Sequence, residues 1–382
     1  MSAGRTNDTL GLGALDADTA FMSEAIALAR RAEGLTSPNP LVGCVLVRDG
    51  VVVGRGWHEG PGLPHAEVAA ISDAGEAARG ATAYVTLEPC NHTGRTGPCT
   101  EALIAAGVSE IIYAVSDPNP LAAGGATRLR EAGLTVRAGV CEAQARAMNV
   151  AWLHAMAFRR PYVIAKAAMS LDGRIATRTG VSKWLTGPEA RRKGHGLRAR
   201  SDAILVGAGT ICADDPALTA RLDGETRAPL RVVLDSTGRS PLGAKAFERS
   251  DDPSRPSALL ATTRNCPTDR RAAFEAAGVD VAVLETDDSS RPDLDDLMAE
   301  LHRREVRTLM VEGGGTVLGS FLDRDLIDEI HLFYAPLIIG GGKSAFDGDG
   351  VDRVTDAGGF DFEPPEQVGA DFLVRGRRRR AR

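Results

Sequence analysis

The chain has 382 residues, of which 43% are hydrophobic, 25% charged and 4% aromatic, and its formal net charge is −6. That length exceeds one ordinary core and suits two domains, while the acidic balance argues against nucleic acid as the main partner. The longest apolar stretches fall short of the roughly 20 residues a membrane-spanning helix needs, and the first eighteen residues lack the cationic start and apolar core of a secretory signal.

Those residues read as a flexible leader. Asp18 can cap a helix from about Thr19 to Ala32, with Phe21, Met22, Ala25, Ile26 and Ala29 on one face and Gly34 ending it. VGCVLVR, Asp49-Gly50 and VVVGRGW spell a hairpin with a two-residue turn. His65 opens a second helix of about a dozen residues ending near Gly80. ATAYVTL is a strand whose end delivers Glu88, Pro89 and Cys90 to a loop, and Cys99 starts the next helix. A strand at IIYAVSD follows, then a loop, a helix and another strand. The run from Cys141 reads as one helix stopped at Pro161, because proline cannot donate to the preceding turn.

A domain boundary falls near 155–161, giving domains over 18–158 and 161–375. The second half alternates strands (YVIAKAAM, AILVGAG, LRVVLDS, ALLATT, VDVAVLE, TLMVEGG, EIHLFYAPL) with helical stretches such as PEARRKGHGLRARS and LDDLMAELHRRE. Such alternation predicts a largely parallel, helix-covered sheet in each half. The halves share no repeat.

Chemistry concentrates first in PHAEVAA and TLEPCNHTGRTGPC. A catalytic zinc site needs three protein ligands and an open position. His65, Cys90 and Cys99 supply one nitrogen and two sulfurs, and six cysteines without a disulfide framework fit metal binding in a reducing cytoplasm. Glu67, two residues past the histidine, is placed to carry a proton from water to a leaving amine. The common nucleobase-deaminase motif has two residues between its cysteines; here NHTGRTGP intervenes, and His92 inside it is a rival ligand. In the second half VEGGGTVLG offers a strand, a glycine cluster and a helix start that suit a pyrophosphate.

PNPLVGCVLVRDGVVVGRGWHEGPGLPHAEVAAI, ATAYVTLEPCNHTGRTGPCTEALIAAGV and DPNP resemble the N-terminal half of the bacterial bifunctional riboflavin biosynthesis deaminase–reductases. KAAMSLDGRIAT, GVSKWLTGPEAR, LRARSDAILVGAGT, ADDPALTAR, LDSTGR and YAPLIIGGGKSAF look like their reductase half. The long gap between cysteines is that family's own variant. The resemblance implies an α/β chain, with a cytidine-deaminase-like α/β/α domain followed by a dihydrofolate-reductase-like α/β domain. It implies zinc-dependent deamination of a phosphoribosylaminopyrimidine, then NADPH-dependent reduction of its ribosyl group to the ribityl phosphate. Ala126 departs from the family, which usually has glycine there.

In the deaminase half the resemblance puts Asn39, His58 and Glu67 around the pyrimidine, with Arg95, Asp117 and Asn119 toward the phosphoribosyl end. In the reductase half, Ala168, Trp184, Thr186, Thr210, Asp214, Ser236, Gly314, Gly315 and Thr316 would contact the cofactor. Ser182, Arg198, Leu218, Arg221 and Glu312 would hold the substrate. Lys166 and Asp214 are the residues expected to steady the opening sugar, by position and charge. The expected partner is this small molecule, without nucleic acid or membrane, and the chain is expected to be a cytoplasmic homo-oligomer. Two alternatives are a zinc cytosine or tRNA-adenosine deaminase with an accessory domain, and a nucleic-acid module built on the tail VRGRRRRAR. A solvated tail is the blander expectation for that run.

Overall fold

The computed structural model describes residues 8–92, 97–120, 122–222, 229–249 and 258–379, with side chains from residue 17 onward. The chain divides into two compact units, Met1–Phe158 and Arg159–Arg382.

In the first unit the order is α1 (Asp8–Ala29), β1 (Gly43–Arg48), β2 (Val51–Trp57), α2 (Ala66–Ala74), β3 (Thr82–Leu87), α3 (Cys99–Ala106), β4 (Glu110–Val115), α4 (Gly125–Glu131), β5 (Thr135–Ala138), α5 (Glu142–Met148) and α6 (Val150–Phe158). The strands lie in the order β2-β1-β3-β4-β5. β1 runs antiparallel to both β2 and β3, and β3, β4 and β5 are parallel. Alternation within β1 sends Cys44 and Leu46 to a core with α2, α3 and α4, and Val45 and Val47 to a core with α1 and Trp152 of α6. The result is three layers, α/β/α. The hairpin turn has positive φ at both Asp49 and Gly50 (52° and 77°), as its sequence required. A Cβ on Gly56 of β2 would stand 2.2 Å from the Ala66 carbonyl oxygen, so glycine lets the start of α2 lie directly on the sheet.

Two expectations fail here. The helix begins at Asp8, so the segment before residue 18 is not a wholly flexible leader, and Asp18 is no cap. Its buried carboxylate accepts instead from the Tyr84 hydroxyl at 2.6 Å and from Arg137 Nη1 at 2.8 Å. The run from Cys141 is broken into α5 and α6 at Asn149. The Asn149 amide accepts from the Leu41 backbone N–H and donates to its carbonyl, both at 2.8 Å, a tertiary contact that outweighs helix continuity.

The second unit contains β6 (Tyr162–Ser170), β7 (Arg174–Ala176), α7 (Pro188–Arg200), β8 (Ala203–Gly207), α8 (Ala208–Asp214), β9 (Leu230–Leu234), β10 (Ala258–Thr263), α9 (Thr268–Ala276), β11 (Asp280–Leu284), α10 (Leu294–Arg303), β12 (Thr308–Gly313), α11 (Gly315–Asp323), β13 (Glu329–Ala335), β14 (Lys343–Ser344), β15 (Phe360–Phe362), β16 (Glu366–Val368) and β17 (Asp371–Arg378). The main sheet runs β11-β10-β9-β8-β12-β6-β13-β17-β15, parallel through β13 and antiparallel beyond it. α10 and α11 cover one face through Leu297, Leu301, Leu318 and Phe321. α7, α8 and α9 cover the other through Ala190, Leu197, Ile211 and Phe274. AILVGAG proves half strand and half helix, changing at Gly207.

The basic C-terminal run is not a solvated tail over its described part. Residues 371–378 form β17, pairing Glu329–Tyr334 of β13 with Arg377–Phe372. Its arginines meet acids: Arg375 with Glu363 at 3.0 Å, Arg377 with Glu329 at 3.6 Å and Arg378 with Asp325 at 2.6 Å.

Candidate active site

His65 is the residue before α2, and Glu67 lies buried in that helix's first turn. Cys90 follows β3, and Cys99 begins α3. His65 Nδ1 stands 3.2 Å from Cys99 Sγ and 3.5 Å from Cys90 Sγ, and the three ligand atoms lie within 4.8 Å of one another. Ligands around a tetrahedral zinc, with bonds of about 2.0–2.3 Å, sit roughly 3.5 Å apart, so this N,S,S set fits zinc. His92 is not in the group. Its Nδ1 is buried without a hydrogen-bond partner among the described residues.

The thiols share their protons unequally. Cys90 is drawn down to about 4 by the Cys99 thiol donating to it and, against the opposing effect of burial, by His65. Cys99 is raised, because its proton is held by Cys90 and it is buried. Burial lifts the Glu67 carboxyl to about 7, with a Cys90 thiolate adding to the effect. A carboxyl in that range both takes and returns a proton near neutral pH.

Asn39 and His58 gather beside this group. His58 is buried, which lowers its pKa. Its Nδ1 lies 3.2 Å from the Pro64 carbonyl and therefore donates, leaving Nε2 to accept from Asn39 Nδ2 at 3.1 Å. The His58 and His65 rings meet edge to face at 5.5 Å. Asp117 and Asn119 occupy the loop after β4, where the Asp117 carboxylate accepts the Asn119 amide at 2.8 Å. Burial raises Asp117 to about 6, and the charges of Glu88 and Cys90 add to the rise. Glu88 fastens this loop by accepting from the Asp117 and Ala126 amides at 3.3 and 2.9 Å, which also settles the local conformation around Ala126. Arg95 lies outside the described residues.

In the second unit a cleft of about 540 Å³ opens at the C-terminal ends of β8, β9 and β12. Such crevices are where open α/β sheets bind ligands. Thr210, Asp214, Ser236, Gly314, Gly315 and Thr316 line it, as does Ser182. The Gly314 amide donates to Thr210 Oγ1 at 3.0 Å, and Ser182 Oγ donates to Asp214 Oδ1 at 3.1 Å. A Cβ on Gly315 would stand 2.2 Å from the Ser344 carbonyl, so only glycine lets α11 start here. Ala168, Trp184 and Thr186 are not part of this wall. Trp184 is 71% exposed, with the Arg191 guanidinium 4.7 Å over its ring, so it is no core anchor.

Arg198, Arg221 and Glu312 form a second cluster. Arg198 Nε and Nη2 donate to the two Glu312 oxygens at 2.5 and 2.7 Å, and its Nη1 donates to the Thr219 carbonyl at 3.0 Å. Arg221 joins through Thr219 Oγ1 at 3.0 Å and through its backbone N–H, which donates to His195 Nδ1 at 3.2 Å. Leu218 contributes backbone at most, since its side chain is buried in the core and its φ is 52°. Lys166 on β6 packs beside Gly194 of α7, and its charge acts on Glu312. Among the described residues no ion pair or hydrogen bond joins Lys166 to Asp214. Sequence reasoning missed His195 and Asn149, and placed Glu88 at the strand end without giving it a role. Only the asparagine interrupting a helical pattern gave a local signal.

Residues 161–365 match the family described as RibD C-terminal domain, and residues 15–115 match the cytidine and deoxycytidylate deaminase zinc-binding region. The chain is 40% identical to the riboflavin biosynthesis protein RibD of Aquifex aeolicus, over 94% of this chain and 97% of that one. It is 40% identical to the protein of the same name from Escherichia coli, over 94% and 98%. Among solved structures it resembles Acinetobacter baumannii RibD, with a TM-score of 0.87 at 38% identity, covering 96% of this chain and 100% of that one. A diaminohydroxyphosphoribosylaminopyrimidine deaminase/5-amino-6-(5-phosphoribosylamino)uracil reductase from Thermotoga maritima gives 0.83 at 34% identity, covering 96% and 99%.

Proposed function

The chain belongs to the RibD family, which makes it a bifunctional deaminase and reductase of riboflavin biosynthesis, and from that premise we propose how its residues divide the two reactions. Likeness over nearly the whole chain disfavours a cytosine or tRNA-adenosine deaminase with an accessory domain.

The observation that carries the deaminase assignment is the convergence of His65, Cys90 and Cys99 within 4.8 Å, with Glu67 buried beside them. These three residues would hold zinc, which when bound would supply the acidification that makes water a nucleophile at neutral pH. Glu67 takes the proton from the attacking water and gives it to the departing amine of the diaminopyrimidine. His58, neutral and oriented by Pro64 and Asn39, lines the pyrimidine pocket with Asn39. Asp117, Asn119 and Arg95 face the phosphoribosyl group.

In the reductase half the cleft would hold NADPH, which when bound would supply the hydride for reduction of the ribosyl group. Thr210, Ser236 and Gly314–Thr316 hold the dinucleotide, and Asp214 stands where Ser182 brings substrate and cofactor together. Ala168, Trp184 and Thr186 border the nicotinamide end. Arg198, Arg221, Leu218 and Glu312 hold the ribosyl phosphate, while Lys166 and Asp214 steady the opening sugar. The two domains span 18–158 and 161–375, and the enzyme works as a homo-oligomer in the cytoplasm, where its six cysteines, none of them in a disulfide, stay reduced. Among the described residues no helix is long and apolar enough to cross a membrane. One purified preparation should release ammonia from the diaminopyrimidine substrate and oxidise NADPH with the deaminated product. Failure of either assay removes the corresponding half of the assignment.

A further inference from the structure

His195 has no role in either reaction as described, yet it holds the segment that presents Arg221. Residues 217–222 run between α8 and β9, and among the described residues no backbone–backbone hydrogen bond anchors them. Side chains of α7 do so instead. Arg198 Nη1 donates to the Thr219 carbonyl at 3.0 Å, and the Arg221 backbone N–H donates to His195 Nδ1 at 3.2 Å. Three residues apart, His195 and Arg198 share one face of that helix and grip the segment at two points. Arg198 is itself fixed by its paired hydrogen bonds to Glu312. Gly194, next to His195, packs against Lys166, where a Cβ would stand 3.8 Å from the lysine Cε. The grip is thus anchored among the residues assigned to the reductase reaction.

The ring works as a neutral acceptor. Burial and the guanidinium charges of Arg198 and Arg221 lower its pKa, against the smaller opposing effects of the Thr219 carbonyl and Glu312. Nδ1 therefore carries no proton and can accept the Arg221 amide, which leaves the proton on Nε2. Arg221 Nη2 lies 3.3 Å from Nε2, and Arg221 Nη1 donates to Thr219 Oγ1 at 3.0 Å. Backbone and guanidinium of Arg221 are both set against one imidazole. An exposed arginine otherwise loses rotamer freedom when it meets a ligand, and fixing it beforehand reduces that cost.

We propose that His195 is a positioning residue of the reductase: by holding the Arg221 amide and lying along its guanidinium, it aims that cation at the phosphate of the ribosyl substrate. The inference rests on the reading of Arg221 as a holder of that phosphate.

The test measures kcat and KM in the full-length protein for the deaminated substrate and for the same compound without its phosphate. The proteins compared are wild type, His195→Ala, His195→Asn, Arg221→Ala and the variant carrying both alanines. His195→Ala should raise KM for the phosphorylated substrate about 10-fold with kcat within about twofold, as for loss of one hydrogen bond that holds a charged group. KM for the compound without phosphate and for NADPH should stay within about twofold. His195→Asn should restore most of the loss, because its Oδ1 can accept where Nδ1 does. The double variant should be no weaker than Arg221→Ala alone, since without the cation there is nothing to aim. If His195→Ala lacks a cooperative melting transition, His195→Gln, whose acceptor lies at the Nε2 position away from the amide, takes its place with the same expected rise. Additive losses in the double variant, equal impairment with and without the phosphate, or an unchanged KM would overturn the proposal and leave Arg221 as a phosphate ligand. Wild-type KM in Arg221→Ala removes the reading of Arg221 and the proposal with it.

Discussion

Arg198 and Glu312, 114 residues apart, are joined by two parallel hydrogen bonds, Nε to Oε1 at 2.5 Å and Nη2 to Oε2 at 2.7 Å. Burial by itself would raise the Glu312 carboxyl, but Lys166 and Arg198 outweigh it and hold it at about 2. A carboxyl depressed below its ordinary value of 4.5 stabilises the fold above that value and ceases to do so as pH falls toward 2. Arg198→Ala leaves this buried charge half-answered, at a cost of about 3–5 kcal/mol at neutral pH. Scanning calorimetry should place its reductase transition roughly 10 °C below wild type at pH 7. The gap should narrow steadily between pH 4.5 and pH 3; a constant gap across that range would contradict the ion-pair account.

Glu67→Gln keeps the shape of the buried side chain and removes its proton transfer. Ammonia release should drop about 10²- to 10⁴-fold, with one zinc per chain retained by elemental analysis and NADPH oxidation unchanged. Lys166→Ala should do the reverse, since it stands beside Glu312 in the other unit. If either substitution impaired both reactions equally in a folded protein, two independent sites could not be maintained.

Chelation offers a third separation. The Cys99 proton must leave for zinc to bind, so binding should release protons and weaken as pH falls. Removing the metal should abolish deamination, leave reduction untouched, and be reversed by adding zinc. Loss of NADPH oxidation in the chelated protein would argue for a metal in the reductase half.

Asn149 should act on deamination without touching substrate. Its paired hydrogen bonds to Leu41 hold the segment that carries Asn39, and Asn39 in turn orients His58. Asn149→Ala strands two part-buried backbone groups of Leu41, at about 1 kcal/mol each. The expected readout is a raised KM for the diaminopyrimidine with zinc content and reductase kinetics unchanged. An unaltered KM would make Asn149 a purely structural residue.

Removing residues 375–382 would delete the second half of β17, not a free tail. Because β17 pairs with β13 from Glu329 to Tyr334, the truncated chain should lose reductase activity and its reductase melting transition. Full reductase turnover after truncation would return that run to the status of an appendage.

The candidate zinc ligands were legible from the sequence because each sits at a local punctuation mark. His65 precedes a helix, Cys90 ends a strand's exit, Cys99 begins a helix, and spacing along one segment fixes such positions. The Asp49-Gly50 hairpin, the parallel strands of the second half and the glycine-cradled start of α11 were readable for the same reason, since hydrophobic periodicity and turn residues report backbone geometry within a dozen residues. Folding in three dimensions alone decided the partners. Asp18 looks like a cap and instead meets Arg137, 119 residues away; Asn149 looks like helix and clamps Leu41, 108 residues away. The arginines of the C-terminal run resemble a solvated tail until β13 offers its edge. A side chain's local pattern states whether it is buried and how the backbone runs, whereas its partner is chosen by which distant strand or helix the packed sheets bring within 3 Å.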